Sequence, residues 1–398
     1  MTIASIRPWS RVVLAMAAGS LVLIPAPTSA SSDRDEKAAA IVSKAPEGSP
    51  LEVVLTSRSA DGKPVISTVL ADTRAQARGI VARLLGRDGT VGVEMSHRVS
   101  IAAYNDTHRS QQWALNALKA ETVHGKTRGS GVTVAVVDTG VKSSHSDLSN
   151  RVLSGTDYVA PGTSANDENG HGTHVAGIIA AVHNNRRGIA GFAPSSKILP
   201  VRVLDRNGSG TSANVAKGII YAADRGAKVI NLSLGSNQSS TAMQSAISYA
   251  IGKKVLVVAA AGNSGCGLLG LGAATEYPAA YSGVVGVGAV TQSISRASFS
   301  SCGSWVDVVA PGDRIISTMI QNSVGLGCSS SANYCTLSGT SFSTPYVAAA
   351  GALAIARRGW SQSTVASRLQ STATDISPAG KDNYTGAGFI NPLKMLTS

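Results

Sequence analysis

The chain has 398 residues, 43% hydrophobic and only 15% charged, which is enough apolar material for a large core and too little charge for a disordered chain. Its 42 glycines and 4 phenylalanines point to a turn-rich body packed mainly by aliphatic side chains. The net charge of +12 is scattered rather than clustered, so it forms no stripe for a nucleic-acid backbone and reads as solvated surface. Arg7 and Arg11 flank the start of an apolar run, Val12 to Ile24, followed by Pro-Ala-Pro-Thr28-Ser-Ala30 with small residues at the last and third-last places. That pattern predicts a secretory signal over residues 1–30, cut after Ala30; the run is shorter than the ~20 apolar residues a span needs. With no later stretch able to cross a bilayer, the expected product is secreted, extracellular and soluble.

From Ser31 to about Tyr104 the pattern predicts a small sheet with one helix. Strands are expected at Leu51 to Leu55, Val65 to Leu70, Val91 to Met95 and Arg98 to Ile101, with a helix from Thr73 to Leu85. Beyond Gly131 strands and helices alternate. Val132 to Val137, Ile198 to Leu204, Lys228 to Ser233 and Val255 to Ala260 read as buried strands; Val175 to Val182, Asn214 to Asp224 and Thr241 to Ile251 read as helices. Such alternation implies an α/β fold, a mostly parallel sheet with helices on both faces, preceded by a small α+β unit. Cys266, Cys302, Cys328 and Cys335 all lie in the C-terminal half, and export makes disulfides reasonable. Three connectivities are possible; the short loop between Cys328 and Cys335 favours that bridge and leaves Cys266 with Cys302. No Cys-x-x-Cys spacing supports a metal cluster.

Three strings carry chemistry: Val-Val-Asp138-Thr-Gly, Asn-Gly-His171-Gly-Thr-His and Gly-Thr-Ser341-Phe-Ser-Thr-Pro. A serine hydroxyl is a poor nucleophile until a base takes its proton, and the base needs an acceptor that fixes its tautomer. Ser341, His171 and Asp138 supply those three types. Asp138 ends an apolar strand, where a carboxylate is costly unless paired. Ser341 opens a helix, so its N–H lacks an intrahelical acceptor and is free to bind an anion. Asn263, in a Gly-Asn-Ser-Gly turn after a buried strand, offers a side-chain amide for the same oxyanion. Asp138-Thr139-Gly140 also matches the aspartic-protease triplet, but that chemistry needs two carboxylates side by side and no second Asp-Thr-Gly or Asp-Ser-Gly occurs. Zinc peptidase chemistry is disfavoured by the missing His-Glu-x-x-His; His174 reads as structural.

Taken together, the motifs around Asp138, His171, Asn263 and Ser341 resemble those of the subtilisin-type serine peptidases, most of all the thermitase group, and the likeness runs from about Asn105 to Leu393. The resemblance implies a secreted serine endopeptidase with residues 105–398 as catalytic domain. It implies residues 31–104 as a pro-segment that aids folding, occupies the cleft and is cut away between Ser100 and Asp106. It also implies that Gly208, Ser209, Gly210 and Ser233, Leu234, Gly235 are two edges sandwiching an extended polypeptide substrate, whose backbone would pair with them. Gly262 and Glu276 would belong to the pocket for the residue before the scissile bond, where a carboxylate would favour Lys or Arg. The stretch Cys266 to Thr275 departs from the family pattern. A structural Ca2+ site is implied at Asp106, Asp147 and Asn185 with the carbonyls of Val182, Arg187 and Ile189, an all-oxygen set that suits that ion; Arg186 and Arg187 are departures from the family there. The remaining expectations are a monomer, no nucleic-acid partner, and the chain's own pro-segment as partner.

Overall fold

A computed structural model describes residues 29–43, 45, 51–96, 104–267, 273–376 and 378–398. Residues 1–28 of the expected signal stretch, the expected strand Arg98 to Ile101 and most of the expected maturation stretch lie outside the described residues. The chain divides into two compact units, Met1–Ile101 and Ala102–Ser398.

The first unit contains α1 (Ser29–Ser43), β1 (Leu51–Arg58), β2 (Pro64–Ala71), α2 (Arg74–Leu85) and β3 (Thr90–Met95). Its strands form an antiparallel sheet in the order β2-β1-β3, with Val53 opposite both Val69 and Met95. Alternation dictates the core: Val53, Leu55, Val93 and Met95 face inward onto Ala77, Ile80 and Val81 of α2. Thr73 caps α2 by accepting from the Gln76 N–H at 3.1 Å. Helix α1 is additional to the one helix expected. Its buried face is short, Ala38 and Val42, behind a charged stretch from Asp33 to Lys37 that hides a 3.6-residue period.

The second unit begins with α3 (Trp113–Ala117) and α4 (Ala120–His124), followed by β4 (Thr133–Asp138), β5 (Thr156–Asp157), α5 (His171–Ala180), β6 (Lys197–Arg202), α6 (Ser212–Asp224) and β7 (Val229–Leu232). It continues through α7 (Thr241–Gly252), β8 (Leu256–Ala260), β9 (Val284–Val290), β10 (Val308–Pro311), β11 (Ile315–Thr318), β12 (Tyr334–Leu337), α8 (Thr340–Arg358), α9 (Gln362–Ser371) and α10 (Pro392–Thr397). The large sheet has the order β10-β9-β8-β7-β4-β6-β5 and all its pairings are parallel. Along β4, Val134 and Val136 enter the core shared with α5 and α8, while Ala135 and Val137 enter the one shared with α6 and α7. Burial on both faces explains why these strands read as continuous apolar runs.

Chain order reverses beside β4, whose neighbours are β6 on one side and β7 on the other. A parallel sheet opens a crevice at the carboxyl ends of its strands at such a point, and Asp138 is the last residue of β4. The long helix α8 crosses the same region, with Pro345 in its early turns and Tyr346 fully buried. The antiparallel pair β11–β12 was not evident from periodicity, because β12 has no buried residue to set an alternation. The structure joins Cys266 to Cys302 and Cys328 to Cys335.

Candidate active site

Strand β4 delivers Asp138 fully buried, and helix α5 begins with His171. His171 Nδ1 lies 2.8 Å from Asp138 Oδ1, which also accepts the Thr139 N–H at 2.7 Å. Strand end and helix start approach closely: a Cβ on Gly172 would fall 2.1 Å from the Gly140 carbonyl oxygen and 3.2 Å from Asp138 Cβ. Only glycine fits there, which accounts for the Gly after His171. Burial presses the His171 pKa down, but the charge and hydrogen bond of Asp138, with the charge of Asp167, outweigh it and hold the imidazole above its ordinary value. His174, one helical turn on, donates from Nε2 to the Cys335 carbonyl at 3.0 Å, and burial pushes its pKa down to about 3. It is a neutral core histidine.

Ser341 stands in the first turn of α8, and Phe342 beside it packs against the His171 ring at 5.4 Å between centroids. The Ser341 hydroxyl donates to the Ser233 carbonyl at 3.1 Å rather than to His171. Catalytic hydrogen bonds often form or tighten only with substrate bound. Asn263 is oriented by its neighbour: its Oδ1 accepts from Thr340 N–H at 2.8 Å and from the Thr340 hydroxyl at 3.0 Å. With the oxygen engaged, the amide nitrogen is directed toward Gly339, 3.5 Å from where a Cβ on that residue would stand. Thr340 is thus a residue that motif reading missed; its position directly before Ser341 was the available signal.

A cavity of about 650 Å³ is lined by His171, by Gly208, Ser209 and Gly210, and by Ser233, Leu234 and Gly235, with Leu204, Met243 and Tyr277 among its apolar walls. Among the described residues, the backbone groups of Leu234 and Gly235 have no hydrogen-bond partner. Glu276 points toward these glycines: a Cβ on Gly235 would sit 2.2 Å from its Oε1, and one on Gly262 would sit 3.1 Å from its Oε2. The carboxylate is half-buried, and burial raises its pKa. Two further polar residues escaped the sequence reading. Asn169 accepts the His171 N–H at 3.1 Å and donates to the carbonyls of Arg206 at 2.9 Å and Val324 at 3.1 Å. Asp167 is buried beneath the same loop. Their only signal was a polar Asn-Asp-Glu-Asn-Gly run before His171, which by itself reads as a turn.

The expected cation ligands also converge. Asp106 Oδ2 and Oδ1 accept the N–H groups of Asn184 at 3.0 Å and Asn185 at 3.1 Å. Asp147 accepts the Ile189 N–H at 2.8 Å and the Asn185 amide at 2.6 Å. Both carboxylates are buried, and among the described residues neither has an ion-pair partner. Burial, the largest influence, pushes Asp147 up to about 6, and the charge of Asp106 adds to the rise. The carbonyls of Val182, Arg187 and Ile189 accept no hydrogen bond among the described residues. Two uncompensated carboxylates beside three unengaged carbonyls fit a hard cation, provided Asn185 turns its oxygen inward. Arg186 and Arg187 are exposed.

Residues 129–388 match the family model described as Subtilase family. The chain belongs to the subtilase family. It is 45% identical over 287 residues to thermitase of Thermoactinomyces vulgaris, covering 72% of this chain and 96% of that protein. With subtilisin amylosacchariticus of Bacillus subtilis subsp. amylosacchariticus it shares 38% identity over 342 residues, 84% of this chain and 85% of that protein, a span longer than the unit Ala102–Ser398 alone. A protease structure from Pseudoalteromonas arctica PAMC 21717 superposes with a TM-score of 0.66 at 31% identity, covering 74% of this chain and 99% of that one. The protein is therefore a subtilisin-type serine endopeptidase with a subtilisin-like fold.

Proposed function

We propose that the protein is exported as a self-processing zymogen, with residues 1–30 as signal peptide, 31–104 as pro-segment and 105–398 as the catalytic domain, which hydrolyses extended polypeptides outside the cell as a monomer. In this reading Ser341 attacks the scissile carbonyl while His171 Nε2 takes its proton, and Asp138 holds the imidazole by Nδ1 and stabilises the imidazolium. The Ser341 N–H and the Asn263 amide receive the oxyanion; removing one such donor typically raises the barrier by ~3 to 4 kcal/mol. His171 then returns the proton to the leaving amine, and water cleaves the acyl-enzyme by the same steps in reverse. Residues Gly208–Gly210 and Ser233–Gly235 bind the substrate backbone on either side. Glu276, against Gly235 and Gly262, selects Lys or Arg before the scissile bond.

The observation that carries the reading is the 2.8 Å contact between His171 and a fully buried Asp138 on a cavity bordered by both substrate edges. The zymogen reading is supported by the separately packed first unit and by the subtilisin match that extends into it. Calcium bound by Asp106, Asp147, Asn185 and the carbonyls of Val182, Arg187 and Ile189 would neutralise the buried carboxylates and hold the segment after α5. Labelling by a serine-directed fluorophosphonate tests the catalytic assignment: the mature enzyme should label and Ser341→Ala should not, and equal labelling of both would refute it. Mass analysis of the secreted form should give a chain starting between Ile101 and Asp106; a secreted chain starting at Ser31 would refute the processing scheme.

A further inference from the structure

We propose that Asp167 is a positioning residue for the Asp138–His171 pair, the hub of a clamp that fixes the end of β4 against the start of α5. The proposal rests on the catalytic reading above. Five donors converge on this carboxylate, which is only 3% exposed. Oδ1 accepts from the Thr139 hydroxyl at 2.9 Å, Asn169 N–H at 3.0 Å and Gly170 N–H at 2.8 Å; Oδ2 accepts from Thr173 N–H at 2.8 Å and the Thr173 hydroxyl at 2.6 Å. Because all five neighbours donate, a carboxyl proton or an amide NH2 at this place would face another donor.

The two hydroxyls decide what the clamp does. Each spends its proton on Asp167 and so offers only lone pairs to its other neighbour. Thr139 accepts the Gly172 N–H at 2.9 Å, and Thr173 accepts the Lys142 N–H at 2.9 Å. One relay thus runs from the residue after Asp138 to the residue after His171, and the second runs back from the helix to the loop beyond Gly140. With Gly172 already against the Gly140 carbonyl, the pair of relays sets the separation and tilt of the two elements that carry the acid and the imidazole. Neither Thr139 nor Thr173 is exposed to solvent, so water cannot easily replace a lost hydroxyl.

The titratable groups facing His171 are Asp138, Asp167 and His174, the last kept neutral by burial. In mature enzyme, Asp167→Asn should lower kcat by roughly 10- to 100-fold, the scale expected for sub-ångström to ångström misplacement, with KM little changed. The acid limb of the kcat profile should also move to lower pH, because a carboxylate that favours the imidazolium has gone. Thr139→Val and Thr173→Val keep the charge and each remove one relay; both should lose kcat, and Thr139→Ser should recover what Thr139→Val loses. Melting temperatures taken alongside separate folding from catalysis. If Asp167→Asn does not fold, the two threonine positions decide the question. Variants that melt earlier yet keep the parental kcat and acid limb would overturn the proposal and leave Asp167 a stability residue. Full activity in Ser341→Ala would instead sink the catalytic reading on which it rests.

Discussion

Replacing Glu276 by Gln keeps the shape of the side chain against Gly235 and Gly262 and removes only its charge. The carboxylate is half-buried and among the described residues has no hydrogen-bond or ion-pair partner, so it is available to a cation brought by substrate. A Lys ammonium about 4 Å away would gain roughly 4 kcal/mol of attraction at an effective dielectric constant of about 20. Desolvation of both groups takes back part of this, and a hydrogen bond to a charged group nets about 1.5 to 3 kcal/mol. Taking about 2 kcal/mol, the preference for Lys should fall roughly 30-fold in Glu276→Gln. The assay is kcat/KM on two peptides that differ only in Lys or Phe before the scissile bond, with the Phe peptide expected to hold its rate. Gly235→Ala should act in the same direction, since its Cβ would displace Oε1 from 2.2 Å. A parental enzyme that prefers Phe, or a Lys-to-Phe ratio unchanged in Glu276→Gln, would refute the assignment of this carboxylate to the pocket.

Since Asp138 and Asp167 hold the His171 pKa above its ordinary value, the base form appears late: kcat should rise with pH through a midpoint above about 6.5, measured on a substrate without titratable groups. The same raised pKa adds stability that is fully present below the unfolded value and is lost as pH rises through the folded one; Asp138→Asn should remove that component of the pH–stability curve. Chelator should lower the melting temperature, by the equivalent of about 2.7 kcal/mol if calcium had been present at 100 times its Kd, and Asp147→Ala should be insensitive to it. The bridge Cys266–Cys302 spans 36 residues in sequence and Cys328–Cys335 spans 7. On chain entropy, replacing the longer pair by Ser should cost about 4 kcal/mol and the shorter about 2.5, read as urea midpoints of the mature enzyme.

Much of the large sheet could be read from the chain because β4, β7 and β8 are buried on both faces and so appear as unbroken apolar runs. The expected helices Asn214 to Asp224 and Thr241 to Ile251 fall within α6 and α7, whose starts the structure caps with Thr211 and Ser240, each accepting from the N–H three residues on. Strands β11 and β12 and helix α1 did not, for lack of a regular apolar period. The expected helix Val175 to Val182 starts earlier, at His171 itself, since Gly170 and Gly172 weaken the local helical signal while tertiary contact with β4 requires them.

At the site, residue types and their neighbours determined the chemistry by themselves: an acid ending an apolar strand, a histidine between glycines and a serine opening a helix have few other uses in combination. Their partners were decided only by the fold. Asp167 and Thr173 stand in a polar stretch with no periodicity, and nothing local distinguishes a carboxylate that collects five donors from one that faces water. Likewise the family resemblance singled out Glu276, but only the fold set its carboxylate against Gly235 and Gly262. Side-chain chemistry is carried by each residue alone, whereas burial and the direction of a hydrogen bond belong to the packed neighbours, and those are chosen by the whole chain at once.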